Sequence, residues 1–194
     1  MADELFGPEQ AAGNAPGVRL ATMRQGGVVV TRVEVARDGL ARPRGRYVTL
    51  ETPSVSLLDE RDNTVIELAA AELAALLPAA GPVLVLGIGN RRVTADALGP
   101  RTVQHILVTM GAGHQLPLRG IRPVAAMAPG VSRAAGISLQ ALAGALVGAV
   151  RPSALICVDS LCSAEPERLG RTIQFSDTGL APASPGRCRG QACV

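Results

Sequence analysis

The chain has 194 residues and 47% of them are hydrophobic, but it contains only two Phe, one Tyr and no Trp. Its length suits one domain, whose core must be built from aliphatic side chains. The net charge is +3 and every cation is an arginine, scattered along the sequence, whereas nucleic-acid binders concentrate basic charge on one face, so we expect no nucleic-acid partner.

Membrane insertion, secretion and metal binding are also disfavoured. The segment 1–17 is acidic and polar, unlike a secretory leader, and no run of about 18 apolar residues exists to span a bilayer. We therefore expect a cytoplasmic protein with no membrane partner. The chain has four cysteines: Cys157, Cys162, Cys188 and Cys193. The cysteines of structural zinc sites are usually closer together in sequence than these, and in many such sites histidines are nearby. We therefore expect no metal at the four cysteines.

The first half of the chain predicts two strands and a helix. Residues 1–17 lack periodicity and are expected to be disordered or pro-segment-like. The alternating "VVVTRVEV" and the later "RYVTLETP" predict two antiparallel neighbouring strands, separated by a turn at Asp38-Gly39. An apolar period of 3.6 then predicts a helix that begins at Leu58 or Asp59.

Strands and helices alternate after Pro82. Val83–Ile88 has no polar interruption, which is typical of a central parallel strand. Helices are predicted at 98–110 and 138–150, and strands at 123–127, in "SALICVD" and in "RTIQFSD". This order predicts one α/β domain with a doubly wound, mostly parallel sheet flanked by helices, preceded by the antiparallel strand pair.

The glycine turn after Val83–Ile88 does not predict a nucleotide site. Gly87 and Gly89 match the first two glycines of a dinucleotide-binding turn, but Arg92 occupies the place of the third. No Gly-Lys-Ser/Thr sequence of a phosphate-binding loop is present either. We therefore expect no cofactor.

Three aspartates follow predicted strands. Asp96 lies in the loop after Val83–Ile88, while Asp159 and Asp177 directly end the next strands, so the sequence predicts all three at one edge of one sheet. An aspartate in such a place can also cap the following helix. Two carboxylates brought close share one proton and can act as acid and base on water and a carbonyl. Asp177-Thr178-Gly179 spells the triplet of pepsin-like enzymes, but those triplets belong to an all-β fold.

The ordered motifs resemble those of the GPR endopeptidase family, the germination proteases of spore-forming bacteria. The resemblance runs from about 28 to 182 and rests on "RYVTLETP", "PVLVLGIGNRRVTADALGP", "RPVAAMAPGV" and "ICVDSLCSAEPERLGRTIQFSDTGL". It implies an aspartic endopeptidase, made as a zymogen and assembled as a homotetramer, that degrades small acid-soluble spore proteins in the spore core. It also implies a fold related to the hydrogenase maturation peptidases.

The resemblance places the two catalytic aspartates on Asp96 and Asp159. Candidate supporting or substrate-binding residues are Gly87, Gly89, Asn90, Asp177 and Thr178. The peptidase domain is expected at 18–181. The family's pro-segment motif is not matched, since only "GVRLATMRQ" stands near its place.

Residues 182–194 lack periodicity where the family continues through a glycine-rich loop to another core strand. If the reading frame is shifted by one base, codons that specify "GRCRGQ" can instead encode a sequence similar to that glycine-rich loop. One hypothesis is therefore that 182–194 is a frameshifted tail; under this hypothesis the chain is truncated and its activity is in question, and the nucleotide sequence tests it.

Two other functions stay open from the sequence. A hydrogenase-maturation-type, metal-dependent peptidase has a similar opening motif but needs a nickel-binding histidine at a strand end. His105, predicted in mid-helix, and His114, predicted in a loop, do not fit that place. The other alternative is a non-catalytic sporulation protein of the same fold.

Overall fold

The computed structural model describes residues 2–3, 16–38, 40, 42–53, 63–111, 120–130, 136–163, 165–179 and 192–193. In chain order the elements are β1 (Ala2–Asp3), β2 (Val18–Gln25), β3 (Val28–Val35), β4 (Gly45–Glu51), α1 (Thr64–Leu76), β5 (Val83–Ile88), α2 (Leu98–Gln104), β6 (Val124–Gly130), α3 (Leu139–Val150), β7 (Ala154–Val158), β8 (Leu161–Ser163), β9 (Thr172–Ser176) and β10 (Ala192–Cys193). Short 3-10 helices occupy Thr94–Asp96 and Pro166–Arg168. The short strands β1, β8 and β10 form one small sheet.

Contacts within the chain define two compact units. The first consists mainly of one continuous segment, Pro78–Leu161. The second consists mainly of Asp3–Leu77 and Cys162–Ala192, two segments that flank the first. The expected disordered segment 1–17 and the tail 182–194 fall mostly outside the described residues, so the predicted boundaries at 18 and 181 stay predictions.

The first unit contains a three-stranded parallel sheet in the order β6–β5–β7. Its central strand β5 is buried at five of six positions, as its unbroken apolar sequence predicts. Helix α2 packs against this sheet at very short range, because Gly87 on β5 faces Gly99 on α2. A side chain at Gly87 would overlap the main-chain oxygen of Gly99.

The second unit contains a four-stranded antiparallel sheet in the order β2–β3–β4–β9. The predicted pairing of β3 with β4 is confirmed, with Val29 opposite Glu51 and Val35 opposite Gly45. One face of this sheet packs against α1 in a cluster of buried aliphatic side chains: Val28, Val30, Val48, Leu50, Val65 and Leu68. The α/β class, with a parallel sheet, helices and an antiparallel strand pair, is thus confirmed.

Two strands differ from the expectation. β2 was not predicted as a strand, yet it pairs with β3 along its whole length. β9 was predicted in the parallel sheet, but it pairs antiparallel with β4, where Ile173 lies opposite Leu50 and Phe175 opposite Val48. Ile173 and Phe175 pack against the α1-facing cluster, and this burial stabilises β9 in the antiparallel sheet.

Helix boundaries also differ. α1 begins at Thr64, and the predicted start at Leu58 or Asp59 lies outside the described residues. α2 ends at Gln104 instead of 110, because Thr109 Oγ1 donates to Arg122 O and accepts from Val124 N, which ties this segment to the start of β6. α3 matches its prediction, with Ser138 as its N-cap. No helix in the described ranges is long and apolar enough to cross a membrane.

An ion pair connects α1 to the antiparallel sheet. Arg32 Nε lies 3.0 Å from both carboxylate oxygens of Glu72, and Arg32 Nη2 contacts the same carboxylate. The hydrogen bond to Glu72 raises the pKa of Arg32, against the effect of burial. Glu72 is buried and its charge is compensated by Arg32, so the pair fixes α1 across β3.

Candidate active site

The loop after β5 holds the Asp96 carboxylate in place. The main-chain N–H of Asn90 donates to both the main-chain oxygen and the side-chain Oδ2 of Asp96, each at 2.9 Å. These two hydrogen bonds hold the two ends of the loop together. The Asn90 side chain accepts a hydrogen bond from Arg92 N at 3.0 Å. The 3-10 helix Thr94–Asp96 then leads directly into α2.

Gly89 makes this arrangement possible. Its φ of +124° is one that residues with a side chain rarely adopt. A Cβ atom at this position would overlap the main-chain oxygen of Asp96 and lie 3.0 Å from its Oδ1. The two glycines of the turn therefore have separate roles. The lack of a side chain at Gly87 lets α2 pack closely against the sheet, and the lack of one at Gly89 lets the Asp96 carboxyl group lie against the loop.

Asp159 follows β7 at the same sheet edge. Its Oδ1 accepts a hydrogen bond from Ser160 N at 2.8 Å. Burial raises the pKa of Asp159, and the charge of Asp96 acts in the same direction, while the Ser160 hydrogen bond opposes them. Since β5 and β7 are parallel neighbours, their carboxyl ends coincide, and the structure brings Asp96 and Asp159 within range of electrostatic interaction.

Cys157 shares the surroundings of Asp159 but is not a reactive thiol. Burial raises its pKa, and the negative charge of Asp159 adds to that effect. A thiol with a raised pKa is protonated at neutral pH and is a poor nucleophile. These surroundings therefore disfavour the thiolate form of Cys157.

Ser160 is a residue that the sequence did not single out. It is 1% exposed, and its Oγ has no hydrogen-bond partner among the described residues. A buried hydroxyl group without a partner destabilises the folded state, since it has lost its hydrogen bonds to water. Ser163, equally buried, has an Oγ that donates to Glu165 O and accepts from Glu165 N.

These two serines give a matched pair of substitutions. We expect Ser160→Ala to leave the free energy of unfolding unchanged or raise it by about 1 kcal/mol, and Ser163→Ala to lower it by about 1 kcal/mol. Urea unfolding followed by circular dichroism measures both. A loss in Ser160→Ala as large as that in Ser163→Ala would show that the Ser160 hydroxyl has a stabilising partner.

Asp177 belongs to the second unit, and the prediction that it shares a sheet edge with Asp96 and Asp159 is wrong. It follows β9 of the antiparallel sheet, where its Oδ1 accepts from Arg46 N at 2.7 Å and its Oδ2 from Arg46 Nε at 2.8 Å. Arg46 Nη1 in turn donates to Ala75 O in the last turn of α1. Thr178 turns back onto β9, where its amide donates to Ser176 Oγ.

The Arg46–Asp177 pair links β4, β9 and α1, and its strength depends on pH. Burial alone would raise the pKa of Asp177, but the hydrogen bonds and charge of Arg46 outweigh it, so the pKa lies below its usual value. A carboxyl whose pKa is lower in the folded state than in the unfolded state stabilises the fold above the unfolded-state pKa. This stabilisation is lost as the pH falls through the folded-state pKa.

Asp177→Asn should therefore lower the free energy of unfolding by about 1 kcal/mol at pH 7. The difference from the wild type should be smaller at pH 3, because the unfolded-state carboxyl, with a pKa of about 3.9, is mostly protonated there, and it is lost fully only as the pH falls through the lowered folded-state pKa. Urea titrations at both pH values measure it. An equal difference at both pH values would contradict an electrostatic role.

The remaining ionisable candidates lie elsewhere. His105 caps the C-terminal end of α2 and is not in mid-helix as expected, because α2 ends at Gln104. His114 is outside the described residues. Within the described ranges, no three side chains of the metal-ligating types His, Cys, Asp and Glu group together. The arrangement at the β5–β7 edge suits proton transfer by two coupled carboxyl groups, one of them with a raised pKa.

Comparison with known proteins agrees with the motifs. A family model described as germination protease matches residues 2–191. The germination protease of Clostridium tetani is 34% identical over 94% of this chain and 59% of its own length. That of Caldanaerobacter subterraneus is 38% identical over 87% and 55%, and that of Bacillus velezensis is 37% identical over 82% and 47%. The chain thus spans about half the length of these relatives. The chain belongs to the germination protease family.

Proposed function

We propose that this chain is an aspartic-type endopeptidase in which Asp96 and Asp159 form the acid/base carboxylate pair. The observation that carries the proposal is the position of both carboxyl groups at the coincident ends of β5 and β7, where the charge of Asp96 acts on Asp159. Membership of the germination protease family supports the peptidase activity, since the relatives are named for it.

The raised pKa of Asp159 suits it to hold the shared proton. In the proposed first step, Asp96 takes a proton from water as the water oxygen attacks the peptide carbonyl carbon. Asp159 donates its proton to the carbonyl oxygen, which gives a neutral tetrahedral diol. Asp96 then protonates the departing amide nitrogen while Asp159 recovers a proton from the diol. The C–N bond breaks and both carboxyl groups return to their starting states.

The substrates and setting follow from the family resemblance. We propose small acid-soluble spore proteins as substrates during germination, a cytoplasmic location in the forespore and spore core, synthesis as a zymogen and assembly as a homotetramer. The relatives that carry the name germination protease support the role in germination.

The test is direct cleavage of a small acid-soluble spore protein by the purified chain. We expect discrete fragments that mass spectrometry places at a few defined bonds, with rates unchanged by added nickel or by a chelator. The Clostridium tetani germination protease serves as the positive control. If that control cleaves and this chain does not, the endopeptidase proposal is wrong for this chain, and the non-catalytic alternative gains support. A requirement for nickel would instead favour the metal-dependent alternative.

A further inference from the structure

Charge is distributed unevenly along the chain. The continuous segment 78–161 of the first unit contains seven arginines and only two acidic residues, Asp96 and Asp159. Both acids belong to the proposed catalytic pair, so the segment has no further carboxylate to neutralise its arginines. The ion pairs that join two described residues all lie in the second unit. The unit with the proposed catalytic pair is therefore cationic around it.

Two of these arginines lie on the loop that carries Asp96. A tight turn spans residues 90–93 and is closed by a hydrogen bond of 3.0 Å from Val93 N to Asn90 O. Arg91 and Arg92 occupy its two central positions, and both are exposed. The first residue of the turn, Asn90, also donates its main-chain N–H to Asp96 Oδ2. The turn that holds the carboxyl group thus carries two guanidinium groups as well.

A neutral partner orients Arg91. With its amide oxygen turned toward the loop, the Gln104 side chain on α2 accepts hydrogen bonds from Arg91 Nη1 at 2.8 Å and Nη2 at 3.3 Å. An amide can orient a guanidinium group without neutralising it, because the amide carries no charge. Among the described residues, no carboxylate forms an ion pair with Arg91 or Arg92. Their positive charge is available to a ligand.

We propose that Arg91 and Arg92 form a subsite for an acidic side chain of the polypeptide substrate, next to the scissile bond. The proposal rests on the proposed endopeptidase function and assigns residues that determine its specificity. A substrate carboxylate would be repelled by the catalytic pair unless a cation compensated its charge, and the two arginines supply that cation. A basic side chain at the same place would be repelled by them.

The first test is a double-mutant cycle between enzyme and peptide. Mass spectrometry locates the bonds that the chain cleaves in a small acid-soluble spore protein. Short peptides around each bond are then made with every Glu or Asp replaced in turn by Gln or Asn. At one position the neutral replacement should lower kcat/KM by about tenfold or more. Arg91→Gln should cause a similar loss with the acidic peptide, but little further loss with the neutral one.

Two further variants identify the cause of that loss. Arg91→Lys should restore only part of the activity, since lysine keeps the charge but cannot bind a carboxylate through two parallel hydrogen bonds. Arg151→Gln is the matched control, because Arg151 is also exposed but precedes β7 and so lies at the opposite edge of the parallel sheet. This control should retain the preference for the acidic peptide.

A binding measurement separates the subsite from the proposed chemistry. Fluorescence anisotropy compares a labelled peptide of Glu and Ala with its Gln and Ala counterpart. The wild-type chain should bind the acidic peptide about tenfold more tightly, and Arg91→Gln should lose this preference while Arg151→Gln keeps it. If no spore protein is cleaved but this preference is found, the endopeptidase proposal fails and the subsite stands.

Three results would overturn the subsite. One is equal cleavage of the acidic and neutral peptides by the wild type, which would leave the proposed chemistry intact. Another is equal binding of the two labelled peptides. The third is tighter binding of a short DNA duplex than of the acidic peptide, lost in Arg91→Gln, which would make the turn a site for phosphate groups.

Discussion

Asp96→Asn and Asp159→Asn are each expected to lower the rate of spore-protein cleavage by about a thousandfold. Asparagine keeps the shape of aspartate but cannot accept and return a proton in the way that the proposed cycle requires. The Asn90 amide can still donate to the side-chain oxygen at position 96, and the Ser160 amide to that at position 159, so the fold should be preserved. Asp38→Asn, which removes an exposed carboxyl group, is the control and should leave kcat/KM unchanged.

The pH profile adds a second criterion for this prediction. Asp159 must be protonated to act as the acid, and its pKa is raised by burial and by Asp96. The rate should therefore fall on the alkaline side as the pH rises through the raised pKa of Asp159. A plot of kcat/KM against pH that declines on this side is expected. Wild-type activity in either Asn variant would remove that residue from the mechanism.

Gly89→Ala is expected to lower the free energy of unfolding by about 3 kcal/mol and to reduce cleavage strongly. Two effects add: a φ of +124° strains any residue with a side chain, and the new Cβ overlaps the main-chain oxygen of Asp96. Relief of the overlap requires the Asp96 loop to move, which displaces the carboxyl group from Asp159. Urea unfolding and the cleavage assay measure the two consequences separately.

Gly111→Ala provides the matched control for this substitution. Gly111 also has a positive φ, +79°, but no atom of the described residues lies within 4 Å of an added Cβ. This variant should lose only about 1 kcal/mol, from backbone strain alone, and should retain its activity. If the two variants lose equal stability and both retain activity, Gly89 does not position Asp96.

The parallel sheet could be predicted because its strands carry local signals. β5 and β7 are apolar runs, and the acids that follow them lie at one edge because parallel strands end on the same side. The sheet to which β9 belongs was missed, although a local signal existed. In β9 the apolar Ile173 and Phe175 alternate with polar residues, the period of a strand with one buried face, which antiparallel sheets favour.

β2 and the end of α2 could not be found in this way. β2 lies at a sheet edge, and its half-buried and exposed residues do not alternate regularly. Its sequence therefore lacks the clear alternation of apolar and polar residues that predicts a strand. α2 stops at Gln104 because of hydrogen bonds from Thr109 to residues around β6, and such bonds exist only after the chain has folded. Helix propensity within 98–110 contains no information about them.

The candidate catalytic residues could also be predicted from local signals, whereas their partners could not. The strand-end rule and the family resemblance both indicated Asp96 and Asp159, but neither gave the partners that hold them. The partner of Asp177 is Arg46, which is 131 residues away in sequence. The buried state of the Ser160 hydroxyl likewise follows from packing around β7 and not from its neighbours in the sequence.

The pairing of β4 with β9 has a consequence for the order of events during synthesis. The whole segment Pro78–Leu161, with both proposed catalytic residues, leaves the ribosome before Thr172–Ser176 does. We expect the parallel sheet to form from this continuous segment before β9 is available to pair with β4. Closing a short chain interval costs less entropy than closing a long one. The aspartate pair is then assembled early, and the antiparallel sheet, with its distant strand, is completed last.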